Sequence, residues 1–64
     1  MSTFKERLEI EKAELDEKIQ KLESFIESEV FSKIDSVQQT LLNIQIQAMR
    51  TYSQILLERL VRLE

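Results

Sequence analysis

The chain contains no cysteine, no histidine, no glycine and no proline among its 64 residues. Without cysteine there is no disulfide, and without cysteine or histidine the common zinc sites are excluded, so the usual staples of a very small domain are missing. A domain of this length removes only about 60% of its unfolded surface from water, which leaves a lone monomer marginal. Self-association is the remaining remedy. The same absences exclude glycine-rich phosphate loops, metal clusters and most catalytic triads. The expectation is therefore a protein that is not an enzyme and needs neither cofactor nor metal.

Long apolar runs are missing too. No window approaches the roughly 18 uninterrupted apolar residues of a membrane span. The opening MSTFKERLEI carries charges where a secretory signal needs an apolar run. With no cysteine, these features predict a soluble, cytoplasmic chain with no membrane partner. A net charge of −3 argues against general nucleic-acid binding, which rests on many Lys and Arg contacts to phosphate. No basic region precedes either apolar stripe, so a leucine-zipper transcription factor is not indicated.

What remains is rich in Leu, Glu, Lys, Gln, Ile and Arg, most of them good helix formers. The predicted fold class is all-α, a single domain over 1–64. Thr3 and Glu6 form a capping-box signature that opens helix 1. From there Leu8, Glu11, Leu15, Ile19, Leu22, Ile26 and Val30 recur on one face. Ser32, Asp35 and the β-branched Val30, Ile34 and Val37 then gather, and Asp35 with Gln38 reads as a second cap. These signals predict an antiparallel two-helix hairpin, with helix 1 over about 3–31, a turn over about 32–35 and helix 2 over about 36–63. One uninterrupted helix is the competing reading, because apolar residues at 26, 30, 34, 37, 41, 44 and 48 would also continue a single stripe.

Charge is uneven along the chain. Residues 1–33 hold six basic and nine acidic side chains, whereas Arg50 is the only charge between Gln38 and Leu57. So dry a helix in so small a protein belongs inside a bundle. Leu41, Leu42, Gln45, Ala48, Met49, Tyr52, Leu56, Leu60 and Leu63 are expected to face helix 1. Ile46, Leu57 and Val61 on one flank, with Ile44 and Ile55 on the other, are the expected oligomer interface. A homo-oligomer follows, either a dimer that forms a four-helix bundle or a larger even-numbered assembly.

A turn centred near residue 32 would set Glu11 level with Tyr52. Glu11, Gln45, Tyr52 and Arg59 then read as a structural polar layer that fixes register. The sharper reading of the same region is a ligand pocket, in which Tyr52 stacks on a ring and Arg59 holds phosphate, with Arg50 and Ser53 at an edge where subunits meet. Two symmetry-related Arg50 side chains would call for an anion there.

The segments FKERL, EKAELDEKIQKLESFI and QAMRTYSQILLERL together resemble a family of small phage and prophage proteins related to a crAss-like phage protein. Phe4, Arg7, Leu8, Glu11, Leu15, Lys18, Leu22, Phe25, Gln45, Met49, Tyr52, Leu56 and Arg59 carry the resemblance across nearly the whole chain. It departs at Ser36, where that family often has proline. The resemblance implies a viral or prophage accessory protein acting in the bacterial host cytoplasm, and the wide apolar surface without catalytic chemistry points to a host or phage protein as partner, bound to alter defence or phage development. Helical homo-oligomeric phage proteins also include sponges for the cyclic nucleotide signals of bacterial immunity, to which the chain is similar in size and architecture.

Overall fold

The computed structural model describes residues 3–64 and shows two antiparallel helices packed against each other, α1 (Phe4–Ile26) and α2 (Ser36–Arg62). A short 3-10 turn, Phe31–Lys33, lies between them. Thr3 caps α1, its Oγ1 accepting from the Glu6 backbone N–H at 3.0 Å. Asp35 caps α2 by accepting from the backbone N–H groups of Val37 at 3.1 Å and Gln38 at 3.2 Å. Each cap satisfies donors that the first helical turn leaves free.

The single-helix alternative is overturned, and α1 ends at Ile26 instead of near residue 31. The cause lies in side chains that compete for backbone groups. Ser28 Oγ donates to the Phe25 carbonyl at 2.6 Å and accepts from the Phe31 N–H at 3.4 Å, while Ser32 Oγ donates to the Glu29 carbonyl at 2.6 Å. Such local bonds offer the chain an alternative to the helical ladder. Phe25 and Phe31 meet edge to face across the bend, with centroids 6.0 Å apart. Gln39 then ties the turn to α2, its amide donating to the carbonyls of Phe31 at 2.8 Å and Ile34 at 3.2 Å.

The connection spans 27–35 and is centred close to the expected turn. Phe4 with Arg59 and Lys12 with Ser53 lie at the level that a turn at residue 32 implies, whereas Asp16 with Ser53 and Glu23 with Arg50 reach further along α2. The seam of α1 is Leu8, Lys12, Leu15, Ile19, Leu22 and Ile26. That of α2 is Leu42, Ile46, Met49, Ser53, Leu56 and Leu60. Both follow alternating steps of four and three, the spacing that keeps one stripe turned to one partner.

Leu8, Leu15, Ile19, Ile46 and Leu56 are the buried core, with Leu22, Ile26, Met49 and Leu60 partly buried against it. Ile46, expected on an outer flank, is only 3% exposed and belongs to this seam, whereas Tyr52, expected inside, is 44% exposed. The molecule is a rod of 44 × 18 × 14 Å.

Leu56 is fully buried, so Leu56→Ala is expected to cost about 2–5 kcal/mol, enough to unfold much of a marginal domain. Asp35→Ala should cost about 1 kcal/mol through the lost cap. Urea denaturation followed by circular dichroism measures both, and an unchanged midpoint for Leu56→Ala would contradict this seam.

Candidate functional site

Three groups of polar side chains surround α2, and they fall into a seam, one flank and the opposite flank. In the seam, Ser53 is buried at 9% exposure. Its hydroxyl donates to Asp16 Oδ1 at 2.5 Å and accepts from Lys12 Nζ at 3.1 Å, while Lys12 also bonds Asp16 Oδ2 at 2.7 Å. The result is a closed three-member network in which every group has a partner of the right kind. Lys12 occupies a core position because its methylene stem can cover apolar neighbours while the ammonium stays at the rim. The Lys12 ammonium, with help from the Ser53 hydroxyl, holds the Asp16 carboxyl below its ordinary value, against the smaller opposing effect of burial.

This network does the register-fixing work expected of Glu11, Gln45, Tyr52 and Arg59. Those four side chains are all exposed, and Glu11 shares no hydrogen bond with Tyr52 among the described residues. The intramolecular pairing of Glu11 with Tyr52 is therefore corrected to Lys12 and Asp16 with Ser53. A signal for it was present: Lys12 and Ser53 are the polar residues that complete a strict four-three pattern in each helix, and Asp16 stands one turn beyond Lys12.

On the flank beside Ser53, Arg50 Nη2 donates to Glu23 Oε2 at 2.7 Å. The shallow groove there is also lined by Glu27, Asn43 and Gln47. Two carboxylates beside one guanidinium leave the groove net negative, which does not favour a free anion. Ser53 itself is committed to the seam. Arg50 and Ser53 thus lie apart from Tyr52 and Arg59, and the hairpin does not bring the four together.

The opposite flank is different. Gln45, Tyr52 and Arg59 recur at heptad spacing and are all exposed, which aligns them as a ladder along one edge of α2. The Arg59 guanidinium sits 5.9 Å from the centroid of the Phe4 ring, so this edge borders the start of α1. Val37, Leu41, Ile44 and Ile55 lie uncovered beside the ladder, each more than half exposed. The ladder offers an amide, an aromatic face with a hydroxyl, and a guanidinium, in surroundings that are otherwise apolar.

Of the residues expected at an oligomer interface, Ile44, Ile55, Leu57 and Val61 are exposed, and Ile46 is withdrawn into the core. No group of side chains suited to a metal ion occurs among the described residues, and no helix among them is long and apolar enough to cross a membrane.

These features define a class, the minimal antiparallel helical hairpin with binding-type side chains on an uncovered helix face. A protein-family model described as Sequestin matches residues 2–62, and the chain belongs to the Sequestin family. Neither a curated protein nor a solved structure matches it.

Removing the Ser53 hydroxyl leaves Lys12 and Asp16 only each other, so Ser53→Ala is expected to lower stability by about 1 kcal/mol. The network also sets an acid limit. Since the folded Asp16 carboxyl titrates below its ordinary value of 3.8, its contribution is present above that value and fades as pH falls through the lowered folded one. Urea midpoints at neutral pH and near pH 3 should converge for wild type and Asp16→Asn as the medium is acidified. A difference that stays constant with pH would contradict the linkage.

Proposed function

We propose that the protein is a non-enzymatic sponge, a homo-oligomer that sequesters a cyclic nucleotide signal of bacterial immunity at sites between subunits. On this reading it is a phage or prophage accessory protein that acts in the bacterial cytoplasm. The name of its family, Sequestin, supports a sequestering role. The observation that carries the ligand class is the ladder of Gln45, Tyr52 and Arg59 on an otherwise charge-free helix face. Tyr52 offers a face for base stacking, Arg59 a bidentate partner for phosphate, and Gln45 a donor and acceptor for a base edge.

Burial supports placing the site between subunits. The ladder residues are exposed, whereas ligands of this size bury most of their surface. A second subunit over the apolar edge would supply the missing wall and exclude water, which strengthens each polar contact. The exposed Leu41, Ile44 and Ile55 also favour a second reading, an interaction module that binds a host or phage protein through this same face.

Calorimetry and thermal shift against a panel of cyclic di- and trinucleotides separate the two readings. A sequestered ligand at a hundred times its Kd should add about 2.7 kcal/mol to stability. Arg59→Ala and Tyr52→Ala should weaken binding while leaving the exposed-site fold intact. Loss of binding in Arg50→Ala but not in Arg59→Ala would move the site to the Glu23 flank. Silence across the whole panel would eliminate the sponge reading and leave protein binding.

A further inference from the structure

The uncovered face of α2 has an internal symmetry that the hairpin does not use. Val37, Leu41, Ile44, Ala48, Tyr52 and Ile55 form a stripe turned away from the seam, and all of them are exposed. About Ala48 the inner part of the stripe is large and hydrophobic at matching distances in both directions. Ile44 and Tyr52 are equidistant from it, as are Leu41 and Ile55, and beyond them Val37 corresponds to the aliphatic stem of Arg59. We propose that a second copy of this chain covers the stripe, α2 against α2 in antiparallel orientation, with a two-fold axis passing at Ala48.

An isologous interface requires a self-complementary surface, and this one supplies it. In the antiparallel arrangement Ile44 meets the partner's Tyr52 and Leu41 meets the partner's Ile55, apolar surface on apolar surface. Ala48 is the smallest side chain of the stripe and sits at the axis, where two helix backbones approach most closely. Charge selects the orientation. Antiparallel pairing brings the acidic cap Asp35 at the start of one α2 level with Arg62 at the end of the other, and it opposes the two helix dipoles. Parallel pairing would instead set Arg59 against Arg59 and Arg62 against Arg62.

The exposed surface is also large for a chain of this mass. The hairpin exposes 5041 Å², whereas a compact monomer of 7.6 kDa exposes about 4,300 Å². The elongated hairpin thus carries more surface than a compact fold of its mass, in keeping with a chain that leaves one face for a partner. Helix spacing sets Gln45 and Arg59 at the rim of that interface, with the Tyr52 ring reaching from the stripe to the same rim, so each dimer would carry two equivalent ladders. The inference rests on the subunit-interface half of the proposed function, and its test uses no nucleotide, so the ligand reading and the dimer geometry stand or fall separately.

The natural absence of cysteine makes crosslinking a direct test. Wild-type protein should elute with a light-scattering mass twice that of the 7.6 kDa chain. Under mild oxidation Ala48→Cys should be captured as a covalent dimer, and Gln54→Cys, on the polar side of α2, should remain uncrosslinked. Leu41→Cys mixed with Ile55→Cys should form the heterodimer in preference to either homodimer. Circular dichroism establishes helix content for each variant, and the mixed pair decides should Ala48→Cys fail to fold. A monodisperse wild-type species at the chain mass, preferential self-crosslinking of Leu41→Cys, or capture of Gln54→Cys as readily as Ala48→Cys would overturn the proposal.

Discussion

Two helices can hide one stripe each from water, and in this hairpin those stripes are narrow. The seam is a single file of side chains that alternates at four and three residues along both helices, and its deepest member is Leu56. Everything else follows from how little such a seam can cover. On α1 the remaining surface is highly charged and water is an adequate partner. On α2 the remaining surface is apolar over much of its length, and water is a poor one. One helix is therefore finished on folding, while the other retains a second face that still needs covering.

Within the seam, the polar layer has more to do with choice than with strength. A row of aliphatic side chains tolerates sliding by a heptad, because leucine against isoleucine differs little from leucine against methionine. Lys12, Asp16 and Ser53 do not tolerate it, since any other register would leave the buried Ser53 hydroxyl without its two partners on α1. The same network explains why Tyr52 is free for other uses. With Ser53 turned into the seam, the residue before it is carried to the edge and out towards solvent.

Much of the fold was legible in the residues. The lack of helix breakers, the Thr3 cap and the Asp35 cap are local signals, and they lead to all-α structure and to the two helix starts. The end of α1 and the register were harder to read, because they depend on serine hydroxyls bonding nearby backbone and on polar side chains occupying core positions. Apolar pattern alone favoured Glu11 and Tyr52 by position, when the deciding feature was the reach of Lys12 across to Ser53. Among the site residues, Tyr52 and Arg59 share an edge as helical spacing implies. Arg50 lies on the other flank, where Glu23 takes up its guanidinium.

The amide of Gln39 carries one more consequence. A hairpin whose helices could straighten into one rod is a natural candidate for domain swapping, in which α1 of one chain packs on α2 of another and the same seam forms between molecules. Gln39 holds the carbonyls of Phe31 and Ile34 together only when the chain is folded back on itself. Its two hydrogen bonds thus act as a latch that favours the closed hairpin over the exchanged one.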